Sequence, residues 1–223
     1  MAGLGLGLGL GFGVGGVSAP PPGPTLIIHD NFNRTGLVDG TLPDTVNNGS
    51  AWASPGILSG LSPAPARTIT SDGGILYHSD TVQNSAYANI EPGVANLLIE
   101  VTCAAPAFPG EGVEILTRVQ DNVNYWWLRW IRTNSPAVQL FEVVAGIPTV
   151  RGSYAPGSVA SILLGLKINS DVFEVYTNSV LRFSYTSTLF NAFTRMAINP
   201  RGTEGQFSPT GTGRVRDFKV YSL

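Results

Sequence analysis

A retaining glycosidase needs two carboxyl groups about 5–5.5 Å apart, a spacing that residues i and i+2 on one strand face supply. The chain holds fifteen Asp and Glu among its 223 residues, and no same-face triplet of them occurs on any strand-like run. Glu111 and Glu114 are three apart, so they fall on opposite faces of a strand. Glu100, Glu142 and Glu174 each stand alone on their runs and are expected to face solvent. The two histidines, His29 and His78, lack the neighbours that a proton relay or a metal centre needs, and His29 beside Asp30 reads as a strand-end pair. Neither a G-x-S-x-G elbow nor a phosphate-binding P-loop occurs. Gly11, Gly13 and Gly16 match G-x-G-x-x-G in form, but prolines rather than a helix follow them. The spacing therefore predicts no catalytic residue and no cofactor.

The densest binding chemistry is aromatic. Residues 125–130 read Tyr-Trp-Trp-Leu-Arg-Trp. In a strand that turns Trp126, Leu128 and Trp130 to a core, Tyr125, Trp127 and Arg129 face outward. Leaving Trp127 in water forgoes about 2–3 kcal/mol of burial, so something is expected to cover it. A neighbouring loop or second sheet layer would do so. So would a subunit interface, where Tyr, Trp and Arg are enriched, or a sugar, whose apolar face stacks on aromatic rings.

The elements that must position these residues are strands. Hydrophobic content of 43% allows a sizeable core, and charged content of only 13% leaves the surface to Ser, Thr, Asn and Gly. The net charge is −2 and lysine occurs only at 167 and 219, so no basic block exists to attract nucleic acid. Cys103 continues the alternation of Leu97, Ile99 and Val101 and reads as a small core hydrophobe. From Thr25 onward short alternating runs bounded by turn residues replace any helical period. Strands are expected at 25–29, 67–70, 74–79, 85–91, 95–104, 112–119, 123–132, 138–145, 148–153, 160–169, 171–177, 179–185, 194–199 and 214–222, with one helical turn at 187–193. Asp121-Asn122, Asn169-Ser170-Asp171 and Asn178-Ser179 read as hairpin turns. The inward faces are expected to be Leu97/Ile99/Val101, Trp126/Leu128/Trp130, Ile162/Leu164/Leu166/Ile168, Phe173/Val175 and Phe218/Val220.

Several of these runs carry a resemblance. Asp121-Asn-Val-Asn-Tyr-Trp-Trp-Leu-Arg-Trp130, followed by Val138-Gln-Leu-Phe-Glu-Val-Val-Ala-Gly146, resembles the NYYLLRW … LELYKVVGG run of concanavalin A-like, or laminin-G-like, jelly rolls. Asp171-Val-Phe-Glu-Val-Tyr-Thr-Asn178 resembles their I-x-V-Y-V-N-G hairpin, with Ser179 in place of the glycine. Val215-Arg-Asp-Phe-Lys-Val220 resembles their closing strand, and Asp30-Asn-Phe-Asn-Arg-Thr35 with Trp52 resembles their D-x-F-x-R … W opening. The resemblance covers residues 26–222 and implies an all-β, two-sheet antiparallel jelly-roll sandwich over 25–223, behind an extended arm and Pro-rich linker at 1–24. Glycosidases of this family carry E-x-D-x-E on one strand face, which is absent here. Many relatives bind calcium near their strand ends; the oxygen ligands would be Asp30 and Asp217, although no D-x-D-x-D-G loop is present.

The arm has its own pattern. Leu4, Leu6, Leu8, Leu10, Phe12 and Val14 alternate with glycine, so an extended strand has one apolar and one bare face. Each Gly-Leu pair costs about 2–4 kcal/mol to order and returns about 1.5–3 kcal/mol when its leucine is buried, so a partner is expected to hold it. The run lacks a preceding basic residue, is glycine-rich and is shorter than the ~20 residues of a spanning helix; no export signal and no membrane span are expected. Such arms resemble the N-termini of tailed-bacteriophage virion proteins. The resemblance implies a virion structural protein, as a tail, fibre or capsid-decoration part. It would be anchored to other virion proteins through residues 1–17, and as a homo-oligomer its arms would pack around an axis. The alternative is a carbohydrate-binding adhesin that recognises a cell-surface glycan, and a glucanase-type glycosidase comes last, because the fold hosts all three.

Overall fold

A period of two gives each strand one apolar face, and two such sheets bury those faces against each other. The computed structural model describes residues 23–53, 69–71, 74–78, 88–104, 112–131, 137–157, 159–201 and 215–223, and there it has that arrangement. Leu4, Leu6, Leu8, Leu10, Phe12, Val14 and Glu111 lie outside the described residues.

The strands are β1 (Thr25–Asp30), β2 (Gly36–Leu37), β3 (Thr45–Val46), β4 (Ile69–Ser71), β5 (Leu76–His78), β6 (Ala88–Ile90), β7 (Leu97–Ala104) and β8 (Gly112–Thr117), then β9 (Tyr125–Ile131), β10 (Ala137–Val144), β11 (Ile147–Tyr154), β12 (Ser161–Asn169), β13 (Val172–Thr177), β14 (Val180–Thr186), β15 (Met196–Arg201) and β16 (Val215–Ser222). One sheet runs β14-β13-β12-β7-β16-β5-β4-β2, with β1 paired to β16 and β3. The second, six-stranded sheet runs β11-β10-β9-β8-β15-β6. Every named strand pair is antiparallel. The chain is an all-β jelly-roll sandwich.

All five expected inward faces are buried, from Leu97, Ile99 and Val101 on β7 to Phe218 and Val220 on β16, and Cys103 joins them at 0% exposure. Burial pushes the Cys103 thiol far above its ordinary pKa. Trp126 packs at 4.3 Å on Phe173 of the opposite sheet, and Trp52 meets Phe218 edge-on at 5.3 Å.

Each of the fourteen expected strands has a counterpart, with ends that match or shift by at most three residues. Two strands, β2 and β3, were not foreseen, because two residues are too few to show alternation. The three expected hairpin turns join β8 to β9, β12 to β13 and β13 to β14. At the last, Asn178 and Ser179 both have positive φ, 50° and 63°, the geometry of a type I′ turn. The helical turn expected at 187–193 is not there. Phe190 takes φ 61°, and the segment closes with Phe193 N donating to Phe190 O as an irregular turn. No helix among the described residues is long and apolar enough to cross a membrane.

Candidate functional site

β9 sits inside the six-stranded sheet and sorts its side chains by parity. Trp126, Leu128 and Trp130 enter the core, while Tyr125, Trp127 and Arg129 lie half-buried on the outer face. The register then assembles neighbours from far along the chain. Glu114 on β8 stands opposite Arg129, and Arg129 opposite Gln139 on β10. One step along the strands, Leu116 stands opposite Trp127, and Trp127 opposite Phe141.

These residues form a fixed cluster. The Trp127 and Phe141 rings stack at 4.9 Å with 30° between their planes. The Arg129 guanidinium lies over both rings, 4.9 Å from the Trp127 centroid and 4.4 Å from that of Phe141. Its Nε and Nη2 donate to Gln139 Oε1 at 3.1 and 2.9 Å. Cation–π contacts of this kind contribute about 0.5–2 kcal/mol each, so the cluster holds its own geometry. Among the described residues, the buried indole N–H of Trp127 has no hydrogen-bond acceptor.

Beside this cluster lies a buried carboxyl group. Glu114 is 1% exposed and accepts from Asn199 Nδ2 at 2.6 Å. The Tyr125 phenol is pushed above its usual pKa by burial first and by the Glu114 charge second. The neighbours of Glu114 on its own strand face are Gly112 and Leu116. Glu142 corrects an expectation. It does not face solvent but lies on the core side of β10 with Val138 and Leu140, 3% exposed, where Arg151 Nε donates to it at 2.6 Å. The bulge between Leu140 and Phe141 in the β10–β11 ladder puts Arg151 within reach. Glu114 and Glu142 therefore occupy opposite faces of the same sheet and do not pair.

The structure does not bring Asp30 and Asp217 together as a ligand set. Asp30, fully buried, accepts from both Arg34 Nη atoms, Trp52 Nε1 and Phe32 N, each at 2.7 Å. Asp217 is held by His29 Nε2 at 2.7 Å and Lys219 Nζ at 2.6 Å. Of the outer-face cluster, sequence reasoning found Tyr125, Trp127 and Arg129 and missed Phe141, Gln139 and Glu114. An outward aromatic on the next strand, Phe141, was the available signal.

Neither a protein-family model nor a curated protein sequence matches the chain. Solved structures do resemble it. The catalytic domain of an endo-1,3-beta-glucanase (laminarinase) from Thermotoga petrophila RKU-1 superposes with a TM-score of 0.56 at 12% identity, over 90% of this chain and 98% of that one. LamAcat from Zobellia galactanivorans gives 0.54 at 12% identity, over 89% and 98%. The CBM2 module of Lactobacillus casei BL23 phage J-1 evolved Dit gives 0.52 at 11% identity, over 90% and 97%. The shared fold is the concanavalin A-like jelly roll. At such identities the likeness is one of fold.

Proposed function

We propose that this chain is a non-catalytic, carbohydrate-binding jelly-roll module of a tailed-phage virion, and that the outer face around Trp127 takes the sugar. The preformed cluster of Trp127, Phe141, Arg129 and Gln139 carries the reading. The half-buried Trp127 ring, backed by the buried Phe141, is the apolar surface that the C–H face of a pyranose would meet. With Gln139 Oε1 committed to Arg129, the amide nitrogen beside it is a donor suited to sugar hydroxyls. Catalysis is disfavoured because Glu114 has Gly112 and Leu116, not a second carboxylate, at the positions two residues away. Placement on a virion is supported by the likeness to a phage Dit module and by the Gly-Leu arm, whose partners would be other virion proteins.

Of the four tryptophans, Trp52, Trp126 and Trp130 are buried in the core, so a titration that changes tryptophan emission reports Trp127. Wild-type protein titrated with a broad glycan panel should show a saturable emission change with at least one member. Trp127→Ala should abolish the response and weaken binding about tenfold or more, with unchanged circular dichroism. No response from any glycan, or undiminished binding by Trp127→Ala, sinks the reading. Release of reducing ends from a β-glucan that Glu114→Gln abolishes would overturn its non-catalytic half.

A further inference from the structure

The opposite sheet carries a depression that the Trp127 face does not use. Gly165 on β12 is ringed by four side chains of one sheet face. Tyr176 on β13 and Glu100 on β7 stand opposite it across the ladders, and Leu163 and Lys167 lie two residues before and after it. Together with Leu98 and Ser179 these residues line a depression of about 270 Å³. Gly165 is not among the residues with positive φ, so its backbone conformation does not require glycine. Its smallness is what matters: a Cβ there would stand 3.1 Å from Tyr176 Cβ and 3.7 Å from Cγ. A glycine inside a strand weakens it and marks a place of close approach.

The rim chemistry selects a class of ligand. Lys167 Nζ is paired with Glu174 Oε2 at 2.8 Å, and the Tyr176 hydroxyl donates to the same oxygen at 3.1 Å. Tyr221 hydrogen-bonds Glu100, and Lys219 stands opposite Glu100 in the ladder. Lys167 and Glu174 offset each other, and Lys219 is shared by Glu100 and Asp217, so the rim offers an anion no net attraction. What remains is an aromatic ring, two leucines, and donors and acceptors close together. The volume lies just under the ~300 Å³ at which pockets for drug-sized ligands begin, which suits a single ring.

We propose that this depression is a second saccharide site, one that takes a single neutral sugar ring against Tyr176 and stands independent of the Trp127 face. The two sites have separate reporters, because tryptophan emission follows only the first. The full chain should be titrated with methyl β-glucoside, methyl β-galactoside, methyl α-mannoside and N-acetylglucosamine, with resonances followed by NMR. Shifts should appear at Gly165, Tyr176 and Glu100 and saturate with at least one sugar. Tyr176→Ala and the isosteric Glu100→Gln should each weaken that binding about tenfold and leave the Trp127 response intact. The isosteric variant covers the case in which losing the ring over Gly165 loosens the sheet. The proposal falls if no sugar shifts these resonances, if both variants bind as wild type, or if benzoate shifts them where the neutral sugars do not. Loss of the tryptophan response alone would sink the first site and leave this one standing.

Discussion

Asp30 accepts hydrogen bonds from Arg34, Trp52 and Phe32 while fully buried, and these ligands knit the opening loop to the core. The Arg34 guanidinium is held above its ordinary pKa, chiefly by the hydrogen bond to Asp30. Removing the carboxylate would strand a charged partner and an indole donor together. Asp30→Ala should therefore cost about 3–5 kcal/mol, measured by urea unfolding; a loss under about 1 kcal/mol would show that the cage is incidental. The sequence placed Asp30, Arg34 and Trp52 in the right pattern but not in the right role, since Asp30 had been a prospective calcium ligand. Strand parity alone was enough to place Tyr125, Trp127 and Arg129 outward. It could not supply Gln139, Phe141 or Glu114, whose positions beside them depend on the register between strands. Glu142 was misread because a lone glutamate on a strand gives no hint of an arginine brought to it by a bulge in the adjoining ladder.

At the scale of elements the strands were legible and their neighbours less so. Period-two runs and Asn/Asp turn residues located fourteen strands and three hairpins, because both signals are local. The pairing of β7 with β12 and β16, or of β8 with β15, is not local and left no mark on the sequence. The β13–β14 turn carries a local cost that can be measured. Ser179 sits at φ 63°, where a side chain costs about 1 kcal/mol that glycine avoids. Ser179→Gly should raise stability by about that much, seen as a higher denaturation midpoint at an unchanged urea slope. A lower midpoint would mean that the Ser179 side chain holds the turn.

For the molecule as a whole, the proposed division into residues 1–24 and 25–223 is open to direct test. The described strands form a closed two-layer core that draws on residues from Ile28 to Val220. Deleting residues 1–17 should leave this body folded and soluble, with its melting temperature changed by less than about 2 °C. The same deletion should stop incorporation into particles, measured by co-sedimentation with assembled virions; undiminished incorporation would refute the anchoring role of Leu4 to Val14. The two proposed sugar sites lie on different sheets, so one molecule could engage two strands of a glycan layer at once.

The pairing of β1 with β16 has a further consequence during synthesis. His29 bonds Asp217 from 188 residues away in the chain. A ribosome adding about 5–20 residues per second needs roughly 10–40 s to cover that distance. During that time β1 lacks its principal partner, and β7, once made, lacks the neighbour on one flank. A chain that ends before β16 therefore carries open edges on β1 and β7, the exposure that makes partly folded chains prone to aggregate.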